Sequence, residues 1–331
     1  MNKVKWGVLG TAGIAMSSTI PGMLQAENCE LYAIAGRNSE KVNEFKNKFG
    51  FLKAYTDYDS LLQDEEICAV YIPLPNQLHY EWVMKAIEAG KNVLCEKPLA
   101  PTAKQVADLF EAARKKGVVL MEAFAYLHSP YIDALKQEID HKTIGELSYI
   151  ESEFLTSSYN QNNIRMQKSC FGGATYDLGC YCTSMILRML EREPITLQGV
   201  AEYSDEQVDF LTSVIMNFGN GVRASFICGM NFEKEMSHRF DRLYIHGSKG
   251  YIKSDTEFNE EGELTYTLCV DGKEEIKTVN VLQNYRLEVE QLGRCITDKE
   301  QPHVSEVFSS MNARTLDRVL SAIGYATQSN S

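Results

Sequence analysis

Positive charge is in short supply in this 331-residue sequence: 33 Lys and Arg face 45 Asp and Glu, for a formal net charge of -12 and a pI near 5.1. Without a global basic field the chain has nothing to draw a polyphosphate backbone, so no nucleic acid partner is expected. No apolar stretch approaches the roughly 18 residues needed to span a bilayer. Met1-Asn2-Lys3 also runs straight into Val4–Leu9 without a small-residue cleavage site, so neither membrane association nor export is expected. The nine cysteines, at 29, 68, 95, 170, 180, 182, 228, 269 and 295, include no Cys-x-x-Cys and have no His at zinc-ligand spacing. That excludes a disulfide framework and leaves no metal site; an odd set of reduced thiols points to the cytoplasm. Internal repeats, low-complexity tracts and flexible linkers are missing too.

What is present is ordinary globular material, 44% hydrophobic and 24% charged, in a length that suggests about two domains. Short β-branched runs alternate with helical patterns through the first third: Val4–Leu9, Leu31–Ala35, Ala69–Ile72, Asn92–Cys95 and Val118–Met121 read as strands. Between them lie helices, one capped by Ser39 and stopped by Gly50, one from about Gln77 to Gly90, and one with a Thr102/Gln105 capping box ending before Gly117. Such alternation predicts an α/β domain with a doubly wound parallel sheet over residues 1–122. From 123 to 331 the pattern changes to an α+β domain with an open, mostly antiparallel sheet. Its strands are Leu147–Phe154, Phe210–Phe218, Val222–Met230, Leu243–Ile252, Leu264–Val270 and Glu275–Val281, and its helices lie at about 130–139, 177–190, 285–297 and 304–326.

The run Gly10-Thr11-Ala12-Gly13-Ile14-Ala15 follows the first strand and opens the first helix, where a dinucleotide fingerprint belongs. Ala12 and Ala15 stand where two further glycines are usual, yet both are small enough for a pyrophosphate to approach the helix N-terminus. A plain tight βα turn is the other reading. The second strand ends Gly36-Arg37-Asn38 with no carboxylate for a ribose hydroxyl. Arg37 suits a 2′-phosphate, so NADP(H) is expected ahead of NAD(H), unless Arg37 is simply solvated.

Ile72-Pro73-Leu74-Pro75-Asn76-Gln77-Leu78-His79 and Cys95-Glu96-Lys97-Pro98 end the next two strands, at the edge where open α/β sheets bind ligands. With Met121-Glu122-Ala123-Phe124 and Gly172–Tyr181, these segments resemble the Gfo/Idh/MocA family of NAD(P)-dependent oxidoreductases. The resemblance covers nearly the whole chain and includes a full Glu-Lys-Pro signature. It implies a Rossmann first domain, with cofactor contacts from Gly10, Thr11, Ala12, Gly13, Ile14, Gly36, Arg37, Asn38, Ile72, Pro73, Leu74, Asn76, His79, Glu96, Lys97 and Pro98. It further implies a second domain that binds substrate and pairs with another copy, as a homodimer or homotetramer.

Asp177 and Tyr181 are four apart and share a helix face. Tyr at 181, where many members have His, resembles the branch of dimeric dihydrodiol dehydrogenases and sugar dehydrogenases. The expected reaction is hydride transfer at a secondary alcohol or ketone of a sugar, cyclitol or related diol. Lys97 and Tyr181 would move the hydroxyl proton while Asp177 orients the substrate. A free phenol titrates near pH 10, so an ammonium beside it would help. Tyr126, His128, Tyr159, Asn160 and Arg165 resemble substrate-cavity positions; Arg165 offers a fork of donors to a polyol or acidic sugar. Plainer readings stand beside these: Lys97 as a solvated strand-end charge, Asp177 as a helix N-cap, Tyr181 as a half-buried core aromatic, Cys180 and Cys182 as packing. Two other functions suit the same fold, a non-catalytic NAD(P)-sensing regulator and a glycosidase that retains NAD.

Overall fold

A computed structural model describes residues 3–157, 160–232 and 239–325, and the chain divides into two compact units. The first contains β1 (Val4–Leu9), β2 (Cys29–Ala35), β3 (Lys53–Tyr55), β4 (Ala69–Ile72), β5 (Asn92–Glu96) and β6 (Leu120–Ala123). They form one all-parallel sheet in the order β3-β2-β1-β4-β5-β6. Parallel strands are covered on both faces and so read as continuous apolar runs; Val8, Ile34, Val70, Ile72, Val93 and Leu94 are all fully buried. The crossovers are α1 (Ile20–Gln25), α2 (Ser39–Phe49), α3 (Tyr58–Leu62), α4 (Asn76–Glu88) and α5 (Ala103–Lys116). Helix α5 is capped by Thr102, whose hydroxyl accepts the Gln105 N–H at 3.3 Å. The α2 cap corrects the sequence reading: Asn38, not Ser39, accepts the Lys41 N–H at 3.0 Å, and Ser39 is the first helical residue.

The second unit comprises residues 130–281 and 310–331. Its helices α6 (Pro130–Asp140) and α7 (Cys180–Leu190) accompany β7 (Leu147–Ser157), β8 (Thr196–Tyr203), β9 (Asp209–Gly219), β10 (Val222–Phe232), β11 (Phe240–Gly247), β12 (Gly250–Ser254), β13 (Gly262–Val270) and β14 (Lys273–Val281). The strand order is β14-β13-β12-β11-β7-β10-β9-β8, antiparallel except for the β7–β10 pair. The single strand expected over Leu243–Ile252 is two, β11 and β12, split at Ser248-Lys249. Edge strand β8 is an element the sequence did not announce.

Cross-strand register separates the two faces. One row runs Leu268, Ile252, Ile245, Ile150, Ala224, Met216 and Leu197, and all but edge-strand Leu197 are buried. Helix α7 covers this face at β7 and β10. The adjacent row, Ile276, Thr267, Lys253, Tyr244, Glu151, Ser225, Ile215 and Gln198, lies on the other face, where Ile276 and Ile215 are 70% and 65% exposed.

After β14 come α8 (Asn284–Thr297) and α9 (Glu306–Ala322). Residues 282–309 belong to the first unit, where α8 packs on α1. A second domain read as continuous over 123–331 thus cedes this stretch to the first unit. Among the described residues no helix is long and apolar enough to cross a membrane.

Candidate active site

In the first unit the carboxyl ends of β1 and β4 meet at the point where the strand order reverses, the crevice that open α/β sheets use for dinucleotides. Gly10 holds the turn there with φ +129°, a backbone shape that side chains rarely adopt. Its N–H donates to the Ala35 carbonyl at 2.8 Å, and a Cβ on it would lie 3.1 Å from Leu74. The turn Gly10–Ile14 then opens into a π-helical segment, Ala15–Thr19, ahead of α1. Backbone N–H groups where a turn runs into a helix suit a pyrophosphate, so these residues fit a bound dinucleotide.

Gly36 ends β2 with its N–H on the Tyr55 carbonyl at 3.2 Å. Arg37 is exposed and lies against the Tyr58 phenol, which burial pushes above its ordinary pKa while Arg37 pulls it back. Asn38, expected at the cofactor, spends its side-chain oxygen on the α2 cap. Ile72, Pro73 and Leu74 are buried and Asn76 begins α4 half-exposed.

His79 has a structural part. It is fully buried, with Nδ1 2.7 Å from the Pro98 carbonyl and Nε2 2.6 Å from the Leu74 carbonyl. Its ring therefore ties the loop after β4 to the turn after β5. Glu96 accepts the Tyr71 hydroxyl at 2.6 Å, and Tyr71 in turn accepts from Thr19 at 2.8 Å. Glu288 of α8, buried to 1% exposure, is held well above the usual carboxylate range by burial and by the charge of Glu96. Lys97 follows, half-exposed, at the end of β5.

Tyr126 sits in a short 3-10 segment, Ala125–His128, almost wholly buried, edge-on to Phe124 with centroids 6.0 Å apart. His128 is half-buried, 5.2 Å from the His303 ring.

In the second unit, Asp177 lies in another π-helical turn, Thr175–Gly179, which leads into α7 and Tyr181. Asp177 is not the cap of this helix. The cap comes from β9, where Asp209, fully buried, accepts the Thr175 N–H at 2.7 Å, the Thr175 hydroxyl at 2.7 Å and the Thr212 hydroxyl at 2.8 Å. Burial still raises its pKa. Gly173 lets this anchor close: its φ is +113°, and a Cβ there would fall 2.1 Å from Asp209 Oδ1.

Asp177 accepts Arg165 Nε at 2.7 Å, so two residues proposed separately from the sequence form one ion pair. Tyr181 is half-exposed, its ring 5.5 Å from Phe154 and 5.2 Å from Phe258. Arg239, which sequence reasoning missed, stacks 4.4 Å over Phe154 and pairs with Asp241 through Nε at 2.9 Å. Against the cost of burial, Asp241 above all raises the proton affinity of Arg239, with Glu257 and Tyr181 adding to it. The alternating charges of Arg239-Phe240-Asp241-Arg242 were the available signal. Asn160 is exposed and closes a local turn by accepting the Asn162 N–H at 2.9 Å; Tyr159 lies outside the described residues. Cys180 and Cys182 are fully buried.

The order 3-2-1-4-5-6 with its glycine turn at the switch point defines a dinucleotide-binding α/β unit. Residues 4–124 match the oxidoreductase family with an NAD-binding Rossmann fold, and residues 132–253 match the GFO/IDH/MocA C-terminal domain. The chain belongs to the Gfo/Idh/MocA oxidoreductase family and is an NAD(P)-dependent oxidoreductase. Among curated relatives it is 32% identical to a D-xylose 1-dehydrogenase (NADP(+)) of Haloferax volcanii, over 95% of each chain. It is 30% identical to the trans-1,2-dihydrobenzene-1,2-diol dehydrogenase of Xenopus laevis, over 97% of this chain and 98% of that one. A solved 3-ketoreductase from Actinomadura kijaniata, in complex with NADP and TDP-benzene, superposes with a TM-score of 0.91 at 27% identity, covering 97% of this chain and 98% of that one.

Proposed function

We propose that this protein transfers a hydride between NADP(H) and a secondary alcohol or ketone of a sugar, cyclitol or related diol. The observation that carries the reading is the pairing of chemistry with position. Lys97 directly follows β5, the neighbour of β4 at the switch-point crevice of the first unit, while Asp177 and Tyr181 share one anchored helical segment of the second. Relatives named for D-xylose, for a dihydrodiol and for a 3-keto sugar support the substrate class.

When bound, the nicotinamide accepts or gives the hydride at C4. Gly10 shapes the turn, the backbone N–H groups after it hold the pyrophosphate, and Arg37 takes the 2′-phosphate because no carboxylate stands at the β2 tip to compete. Lys97 binds the substrate oxygen, and Tyr181 takes its proton on oxidation and returns it on reduction. Asp177, its side chain fixed by Arg165, orients a neighbouring hydroxyl. The same reading includes a homodimer, formed through the sheet face that carries Val200, Ile215 and Ile276.

The deciding experiment is a fluorescence titration of the purified protein with NADPH and NADH, followed by turnover assays on D-xylose, other aldoses, inositols and vicinal diols. NADPH should bind at least tenfold tighter, about 1.4 kcal/mol. Equal affinities would sink the Arg37 reading, and turnover with none of these alcohols would sink the substrate class.

A further inference from the structure

The carboxyl group at the end of β6 has no part in the mechanism above, yet it is placed against the lysine's own turn. Glu122 is 3% exposed and pairs in register with Cys95, two residues before Lys97. One carboxylate oxygen accepts the Leu99 N–H at 2.9 Å. On the neighbouring peptide the Pro98 carbonyl meets His79 Nδ1 at 2.7 Å. Successive backbone groups after Lys97 are thus gripped from two elements, the Pro98 carbonyl by a ring of α4 and the Leu99 amide by a carboxylate of β6.

The charged surroundings are uneven. Ser309 from α9, the Leu99 N–H and, less strongly, Lys97 favour the ionised form of Glu122, while Glu96 on β5 opposes it. Burial and Lys97 lower the proton affinity of His79 on α4, while the Pro98 and Leu74 carbonyls against its two ring nitrogens raise it. Burial dominates and lifts the Glu122 carboxyl to about 7.

We propose that Glu122 is a positioning residue for Lys97: its carboxylate fixes the turn that carries the lysine and supplies the negative charge that stabilises the ammonium. This rests on the reading of Lys97 as the group that binds the substrate oxygen.

The test compares full-length wild type with Glu122→Gln and Lys97→Met. The deciding readout needs no turnover: trace acetylation with acetic anhydride across a pH series, with Lys97 modification followed by peptide mass spectrometry. Loss of the carboxylate favours the neutral amine, so the Lys97 labelling midpoint in Glu122→Gln should move to lower pH by about half a unit or more. A midpoint unmoved from wild type overturns the proposal. Where D-xylose with NADP(+) gives turnover, kcat of the Gln variant should fall about tenfold or more with KM nearly unchanged, and its pH profile should shift in the same direction. Lys97→Met should lose at least ~100-fold in kcat; wild-type turnover by that variant would reject the role of Lys97 itself, a result separable from the labelling midpoint. Should Glu122→Gln fail to fold, Glu122→Asp, whose carboxylate is drawn back by one methylene, carries the same measurement. A smaller shift in the same direction is then expected, and an unmoved midpoint again overturns the proposal.

Discussion

Glu122 binds its proton far more tightly in the folded chain than in the unfolded one, at about 7 against an ordinary 4.5. A group raised in this way stabilises the fold fully below the unfolded value, and that stability drains away as pH climbs through 7. The gap corresponds to roughly 3 kcal/mol, at about 1.4 kcal/mol per tenfold in proton affinity. Glu122→Gln cannot titrate, so between about pH 4.5 and 7 its urea-unfolding stability should fall less steeply than that of wild type by that order. Parallel slopes would place the proton elsewhere. At this scale the sequence reveals chemistry better than partnership. Lys97, Asp177 and Tyr181 stand out from motif and spacing, but the Arg165–Asp177 pair joins residues 12 apart through an irregular loop. One partner of Glu122 is a backbone N–H, which no side-chain pattern marks. His79 looked like a ligand contact because it sits in a loop-to-helix motif, whereas both ring nitrogens face carbonyls inside the unit.

The segment from Thr175 to Leu190 starts on a carboxylate borrowed from another element. Asp209 satisfies an N–H that helix starts leave open, and it also collects two hydroxyls. Asp209→Ala should therefore cost roughly 2–3 kcal/mol, seen by calorimetry as a melting point about 5–10 °C lower. A change of under about one degree would show that the three hydrogen bonds contribute nothing net. Periodicity found the helix but not its π-helical first turn, since i→i+5 bonding leaves no mark in a hydrophobic pattern. Strand β8 escaped because Gly199 and Ala201 share the half-buried side of its Thr-Leu-Gln-Gly-Val-Ala-Glu-Tyr run with Leu197 and Tyr203, and small residues carry little strand signal. The turn between β11 and β12 was legible in Gly247-Ser248-Lys249-Gly250, a hairpin signal, but the strand drawn over Leu243–Ile252 runs across it.

At the scale of the whole molecule, the cross-strand register sorts the large sheet into a buried row and an exposed one. The outer face is unusual in what it exposes: Val200 at 73% and Ile215 at 65% sit on adjacent strands β8 and β9. If the proposed homodimer forms through this face, replacing both with Lys should leave a monomer in sedimentation velocity while NADPH affinity stays within about twofold. An unchanged sedimentation coefficient would remove this face from any assembly. What composition and periodicity leave invisible at this scale is where the chain goes after β14, because an amphipathic helix declares that it is covered and not by what. Helix α8 returns to the first unit, with the Gln283 side-chain oxygen and the Arg286 amide in the space where Gly22 of α1 would otherwise carry a Cβ. On the ribosome this makes the first unit to emerge one that must wait for its last piece. Everything from 130 to 281 is synthesised while the seat for α8 on α1 stays bare, and a chain that stops at Val281 is left with a nucleotide fold that lacks one of its walls.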